Sequence, residues 1–280
     1  MSRIAGPCDC DGRGPFASAA SRSYGLRQHL PDPSRAKQGH AAGTACPTSW
    51  QDHIDAQTRW TPPSQSFVDY TQLKSDTSKL DEFTDGIEYI GKDEFDSWSR
   101  EQQMAFLINA YNAFTIKLIL TKYPVDSIKA YGGLFVNSPW EKEFFTLFGK
   151  EATLNIIEHD LLRKLYKEPR LHFVLVCASR SCPPLINEAY VADKLEQQFT
   201  DATINFLRDS ERNRFNTENN KIEISKIFKW YKKDFKSSAG SVNAYVAPFM
   251  TDDVAIQTLI ANKETKVKYL DYDWSLNDAK

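Results

Sequence analysis

The residue types that carry chemistry are concentrated between Glu158 and Cys182. A cysteine in a loop near a histidine and a carboxylate can be activated as a thiolate nucleophile. Cys182 directly precedes Pro183, which suits the first position of a helical turn, where unpaired backbone N–H groups would lower the pKa of a thiol. The same N–H groups could hold an oxyanion. The pattern therefore indicates Cys182 as a candidate nucleophile.

Two predicted elements surround this cysteine. Asn155 and Glu158 form a capping-box pattern for a helix that ends near Tyr166. The run LHFVLVCA at 171–178 is almost continuously apolar, which is typical of a strand covered on both faces. We expect this strand to lie at the centre of the sheet.

The order of these two elements decides which histidine can reach the cysteine. A helix and a strand joined by a short loop should pack antiparallel, with the helix start near the strand end. His159, in the first helical turn, is then close to Cys182, whereas His172 lies at the opposite end of the strand. We therefore predict His159 as the base and Glu158 as the carboxylate that orients it.

Alternatives to a nucleophilic Cys182 stay open. A disulfide between Cys177 and Cys182 is expected in an oxidising compartment, and two inert thiols are expected in a reducing one. His172 and the two cysteines are also zinc-ligand types, but the alternation of a strand places His172 and Cys177 on opposite faces. No metal site is predicted, and the sequence indicates no cofactor.

A long helix carries two amides on its apolar side. Ser99 and Gln102 form a capping box for a helix that runs to about Lys122. At 100° per residue, Asn109 and Asn112 fall in the middle of the apolar stripe. A buried amide without partners costs about 1–3 kcal/mol. Each side chain must therefore bond to backbone, to the other amide, to a catalytic group or to water.

The rest of the chain predicts further helices and short strands. The expected elements are an extended segment at 66–73, helices at 78–90, 192–207, 225–235 and 252–262, hairpins turning at Gly149-Lys150 and Asn219-Asn220, and a final strand at 266–271. The predicted fold class is α+β, a helix-rich single domain around a small mixed sheet with 171–178 as its central apolar strand.

Composition limits the classes of partner. The chain has 280 residues with 35 Lys+Arg against 37 Asp+Glu, and no basic block long enough to follow a phosphate backbone. Nucleic acid is therefore excluded as an expected partner. The apolar run at 104–120 contains Asn109, Asn112 and Lys117, so it predicts a buried helix and not a membrane span. The sequence indicates no oligomeric state.

Two segments differ in composition. Residues 1–48 are rich in Gly, Pro, Ser, Ala and Arg and have no apolar periodicity, so they are predicted to be a disordered leader. They lack the apolar core of a secretory signal. Residues 49–280 are predicted to form the single α+β domain.

Several motifs in this order resemble the domain of unknown function 547 family. They are FVDYTQLKSD, AFLINAYNA, IEHDLLR, PRLHFVLVCASRSCPPL, SKIFKWYKKDF and YLDYDWSLND, within roughly 50–280. The family has no settled activity, and its bacterial members typically look exported, which implies an extracytoplasmic location that no signal peptide in this sequence supports. The resemblance implies that the residues of these motifs form the centre of the protein: Asn109, Tyr111, Asn112, Glu158, His159, Arg163, Arg170, His172, Cys177 and Cys182.

Two classes of function follow. The first is a thiol-dependent hydrolase or acyl transferase on a peptide-like or amide substrate. In this class Cys182 is the nucleophile, His159 the base and Glu158 the orienting group, while Asn109 or Asn112 polarises the substrate carbonyl.

The second class is a non-catalytic module that binds a small anionic or peptide ligand in a polar pocket. Arg163 and Arg170 suit an anion because a guanidinium group donates two parallel hydrogen bonds. Tyr111, Asn112 and His172 would line the same pocket.

Overall fold

The structure, a computed structural model, describes residues 58–61, 65–131 and 138–280. The predicted leader at 1–48 lies outside the described residues. Helical elements dominate, with sheets of two and three strands, which confirms the α+β class. No helix in the described ranges is both long enough and apolar enough to span a bilayer.

The helical elements follow one another with short connections. The α-helices are α1 (Tyr70–Ser75), α2 (Ser78–Tyr89), α3 (Lys92–Asp96), α4 (Arg100–Leu120), α5 (Leu195–Leu207), α6 (Ile227–Trp230), α7 (Lys232–Ala239), α8 (Val242–Met250) and α9 (Val254–Ala261). A π-helix spans Ile156–Tyr166, and 3₁₀ turns span Ile128–Tyr131, Pro139–Glu141, Pro169–Phe173 and Ala192–Lys194.

The strands form three small sheets. They are β1 (Thr58–Thr61), β2 (Gln65–Val68), β3 (Phe145–Leu147), β4 (Lys150–Ala152), β5 (Arg214–Asn216), β6 (Lys221–Ile224) and β7 (Lys266–Tyr269). β1–β2, β3–β4 and β5–β6 are antiparallel pairs, and β7 joins β6 in parallel, so the largest sheet is mixed, as expected. The β3–β4 turn uses Phe148 and Gly149 at φ 54° and 74°, one residue earlier than predicted.

Helix α4 is the centre of the core. Ser99 and Gln102 form the predicted capping box, and the helix ends close to the predicted position. Asn109 and Asn112 are both buried, at 7% and 0% exposure, as the angular count predicts. Each amide donates to one backbone carbonyl and accepts from one backbone N–H of a neighbouring segment. These two residues therefore attach loops to the central helix.

The apolar run at 171–178 is not a strand, and the prediction of a central apolar strand is wrong. Pro169–Phe173 forms a 3₁₀ turn, and the following residues have an irregular backbone. Asn112 supplies the hydrogen bonds that a neighbouring strand would provide, because its Nδ2 donates to Val174 O at 3.0 Å and its Oδ1 accepts from Val176 N at 2.9 Å. The apolar pattern correctly indicated burial, but burial alone does not specify a strand.

The π-helix replaces the predicted α-helix. Asn155 makes no side-chain cap, and Thr153 Oγ1 accepts the Ile156 N–H at 3.1 Å instead. The wider i→i+5 pattern turns different residues inward. Leu162 is fully buried, whereas Leu165, which α-helical spacing would place on the same face as Ile157 and Leu161, is 57% exposed.

Further differences concern the bounds of two predicted elements and the presence of helices that were not predicted. The segment at 66–73 is extended only to Val68, after which the Asp69 carboxylate accepts the Gln72 N–H and starts α1. The helix at 225–235 is interrupted at Tyr231, between α6 and α7. Helices α3 and α8 were not among the predicted elements.

The C-terminal segment fixes the loop that carries the cysteines. Asn277 donates its N–H to Ala178 O at 3.1 Å, and Ser275 O accepts the Arg180 N–H at 2.9 Å. Asn277 O also accepts the Val68 N–H at 2.9 Å, which connects this loop to β2. Ala178 is held at φ 56°, a left-handed conformation that is strained for a residue with a side chain and is often found near functional sites.

Candidate functional site

A pocket of about 380 Å³ lies beside the central helix. It brings together six residues that the sequence singled out: Tyr111, Glu158, His159, His172, Cys177 and Cys182. Its other walls are mainly aromatic: Trp140, Trp230, Tyr231, Tyr272 and Trp274. Both histidines line the same pocket because 171–173 is a turn and not the extended strand that would separate them.

Cys177 has the more reactive environment of the two cysteines. Its side chain is half-buried, and its Sγ lies 3.1 Å from Ser179 Oγ and 3.3 Å from the Tyr272 hydroxyl. Burial raises the pKa of Cys177, but hydrogen bonds with Cys182, Ser179 and Tyr272 outweigh it and lower the pKa to about 7. A thiol with this pKa is substantially ionised near neutral pH.

Cys182 has a structural environment. It is buried, its Sγ accepts the Cys177 N–H at 2.8 Å, and its thiol faces Leu175 O at 3.9 Å. Burial and the neighbouring Cys177 raise its pKa. No helical turn follows Pro183, so the expected N–H donors are not provided there. The geometry argues against Cys182 as the nucleophile, and both cysteines are free thiols and do not form a disulfide.

His172 is held by a carboxylate. Its Nε2 lies 2.9 Å from Asp234 Oδ2, and a carboxylate only accepts, so Nε2 carries the proton and Nδ1 keeps a free lone pair. Burial lowers the pKa of His172, and the bond to Asp234 offsets part of this change. Although burial raises the pKa of Asp234, its hydrogen bonds with His172 and Arg163 hold it well below the usual range. The lowered pKa favours a neutral His172, and the bond to Asp234 fixes its tautomer, which is the form that a general base requires.

His159 presents a proton and not a lone pair. Its Nδ1 lies 2.7 Å from Arg163 Nη1, and a guanidinium group can only donate. Nδ1 is thus the acceptor, which places the proton on Nε2. This arrangement argues against the predicted role of His159 as the base. The Nε2–H group is instead suited to donate a hydrogen bond to a substrate.

Glu158 is a buried carboxylate held by two tyrosines. Oε2 accepts the Tyr111 hydroxyl at 3.1 Å, and Oε1 accepts the Tyr231 hydroxyl at 2.8 Å. Burial raises the pKa of both tyrosines, and the charge of Glu158 raises it further. Oε1 also lies 3.7 Å from His159 Nδ1. Glu158 is therefore neither a helix cap nor the main partner of His159.

The two predicted asparagines do not line the pocket. Asn109 Nδ2 donates to Tyr190 O at 2.8 Å and its Oδ1 accepts the Tyr190 N–H at 3.0 Å. Asn112 binds 174–176 in the same way. Both amides bind backbone groups and neither lines the pocket, so neither is placed to polarise a substrate carbonyl.

The two predicted arginines are also engaged elsewhere. Arg170 makes paired hydrogen bonds with Glu168 and with Glu196, at distances of 2.6–2.9 Å. Arg163 Nε donates to Asp234 Oδ2 at 2.8 Å. Neither guanidinium group lines this pocket, so neither offers an anion site there.

Several site residues were not identified from the sequence. Ser179, Tyr231, Asp234 and Tyr272 touch the histidines, the thiol or Glu158, and they come from three separate segments. All four lie in three quoted motifs, PRLHFVLVCASRSCPPL, SKIFKWYKKDF and YLDYDWSLND, and these motifs were the one available signal. No spacing rule connects the last two motifs with Cys177.

The fold and this pocket define a helix-rich α+β protein with a thiol and an Asp-bound histidine in one cavity. The family described as "Protein of unknown function, DUF547" matches residues 95–207 of the chain, which supports the family resemblance of the sequence motifs. The matched range contains both cysteines and both histidines, whereas Tyr231, Asp234 and Tyr272 lie beyond it. No curated protein and no solved structure matches the chain.

Proposed function

We propose that this protein is a thiol-dependent hydrolase or acyl transferase that acts on a peptide-like or amide substrate through Cys177. The observation that carries the proposal is the presence, in one pocket, of a half-buried Cys177 thiol and the Asp234-bound imidazole of His172. A nucleophile, a base and a carboxylate that orients the base are the parts of a catalytic triad.

The chemistry assigns one role to each group. His172 Nδ1 takes the Cys177 proton, and the sulfur attacks the substrate carbonyl to give a tetrahedral intermediate. When the C–N bond breaks, the imidazolium returns its proton to the leaving amine, and a thioester remains on Cys177. Water, or an acceptor amine or alcohol, then attacks the thioester, loses its proton to His172 and releases the sulfur. The Nε2–H of His159 is a donor for the oxyanion.

The proposal is tested by pre-steady-state hydrolysis of p-nitrophenyl acetate, an activated ester that acylates thiols. The unaltered chain should release a burst of p-nitrophenol close to one equivalent. Cys177→Ala should abolish the burst, and Asp234→Asn should slow it by about 10²-fold or more, since the base loses its orientation. Cys182→Ala should keep the burst, but only at higher pH, because it removes a hydrogen bond that lowers the pKa of Cys177.

A burst that persists in Cys177→Ala and disappears in Cys182→Ala would contradict the assignment of the nucleophile. If no variant, including the unaltered chain, gives a burst with this ester or with activated amides, the enzymatic proposal fails.

A second candidate is a non-catalytic module that binds a peptide or other small ligand. The large apolar side chain of Trp230, 46% exposed at the pocket, favours this function. Under this hypothesis Cys177→Ala keeps its affinity for the ligand, and neither the variant nor the unaltered chain converts the ligand to a product. Under the enzymatic hypothesis the same variant binds substrate but does not convert it.

A further inference from the structure

An aromatic cluster begins at the thiol and continues along the pocket. The Tyr272 hydroxyl contacts Cys177 Sγ, while its ring lies 4.8 Å from Trp230 and 4.6 Å from Trp274 between centroids. Trp230 and Trp274 are 5.6 Å apart, and Trp140 meets Trp274 edge-on at 6.0 Å. All four rings line the pocket. Indole and phenol faces carry negative electrostatic potential and attract cations.

The same pocket contains a buried carboxylate that makes no direct ion pair with a described Lys or Arg, although the charge of Arg163 acts on it from beyond 4.0 Å. Glu158 is 6% exposed, and its carboxylate is bound by two neutral tyrosine hydroxyls. In the described part of the chain, no Lys or Arg nitrogen lies within 4.0 Å of this carboxylate. Among the basic side chains described, the imidazole of His159 alone lies within that distance, at 3.7 Å. No Lys or Arg side chain is among the described residues that line the pocket. Buried charges are normally paired.

The nearest cations are held by other groups. Arg163 is bound to Asp234 and His159, and its guanidinium lies 4.8 Å over the Tyr231 ring. Lys129 Nζ lies 4.1 Å from the Trp274 ring centroid, so this cluster already attracts one cation from within the chain. The rest of the aromatic surface has no such occupant among the described residues.

We infer that the pocket recognises a cationic group, a quaternary ammonium or an alkylammonium, with the Trp140, Trp230, Tyr272 and Trp274 rings as its cage and Glu158 as its counter-ion. The inference rests on the proposed function in taking the occupant to be the substrate of Cys177. It deepens that proposal because the substrate is then an acyl compound with a positive charge near its carbonyl. The aromatic rings and the carboxylate would both reject an anionic substrate.

A protection assay on the full chain tests this site directly. Cys177 is alkylated with iodoacetamide in the presence of choline or of its neutral isostere 3,3-dimethylbutan-1-ol, and modification of this residue is measured by peptide mass spectrometry. Choline should protect Cys177 at concentrations about 10-fold lower or more than the isostere, as expected for a desolvated cation–π contact. Equal protection by both compounds, or protection by neither, would overturn the inference.

Variants connect the protection to the proposed cage. Trp230→Leu should raise the half-protecting choline concentration about 5-fold or more, and Glu158→Gln should raise it as well. Leu259→Ala is the matched control, because Leu259 is also 46% exposed but does not line the pocket. If the half-protecting choline concentration is unchanged in Trp230→Leu, the aromatic cage is contradicted. This result holds even if Glu158→Gln does not fold.

The two proposals fail in distinguishable ways. An intact p-nitrophenol burst without selective choline protection removes the cationic site and leaves the thiol enzyme. Selective protection without any burst removes the enzymatic proposal and leaves a module that binds cationic ligands.

Discussion

Replacing Asn112 with leucine should be among the most destabilising single changes in this protein. The side chain is fully buried and binds Val174 O at 3.0 Å and Val176 N at 2.9 Å. Leucine has a similar size but cannot bind either group, so two buried backbone atoms lose their partner. Each unsatisfied group costs about 1–3 kcal/mol, which gives a total of about 2–6 kcal/mol. This loss is a large part of the 5–15 kcal/mol that is typical of a folded domain.

The assay is urea unfolding followed by circular dichroism, with Thr115→Val as a matched control on the same helix. Thr115 is also fully buried, but its hydroxyl has no hydrogen-bond partner among the described residues. Its removal should therefore leave the free energy of unfolding unchanged or slightly higher. If Asn112→Leu lies within about 0.5 kcal/mol of Thr115→Val, the reasoning that this amide replaces a neighbouring strand is refuted.

Three further predictions concern the π-helix, the carboxylate and the thiol. Leu162→Ala should lower the free energy of unfolding by about 2–5 kcal/mol, while Leu165→Ala should change it by less than about 0.5 kcal/mol, as measured by urea unfolding. A larger loss in Leu165→Ala than in Leu162→Ala would indicate an ordinary α-helix. Because the pKa of Asp234 is lowered in the folded state, its ionised form stabilises the protein above the unfolded pKa of about 4, and this contribution is lost as pH falls below that value. Between about pH 6 and pH 2 the melting temperature should therefore decline less in Asp234→Asn than in the unaltered chain. An equal decline in both proteins would contradict the stabilising role of the Asp234 carboxylate. The rate of Cys177 alkylation should rise with pH around about 7, whereas a rise only above about pH 8.5 would indicate an ordinary thiol.

Local patterns predicted the parts of the fold that depend on local physics. The Ser99 capping box and the apolar stripe of α4 located the central helix and the inward face of Asn109 and Asn112, because helix caps and periodicity act within a few residues. The run at 171–178 shows the limit of this reasoning. Its apolar residues indicated burial, but the partner that satisfies its backbone is a side chain about 60 positions earlier in the sequence, which no local pattern reports.

The site was predictable in its location but not in its roles. Residues near both ends of the stretch from Glu158 to Cys182 line the pocket, yet the preference for His159 depended on a strand that does not form. Asp234, which orients His172, and Tyr272, which binds Cys177, come from distant segments that meet only in the folded chain. Tautomers and thiol pKa values depend on such contacts, so the sequence could name the groups but not assign their functions.

The central claim is that Cys177 forms a covalent acyl intermediate. The most direct measurement is peptide mass spectrometry after rapid acid quenching of the reaction with p-nitrophenyl acetate. The account predicts one acetyl group, a mass increase of about 42 Da, on the sulfur of Cys177 and none on Cys182. An acetyl group on Cys182, or an unmodified Cys177 at the time of the burst, would contradict it.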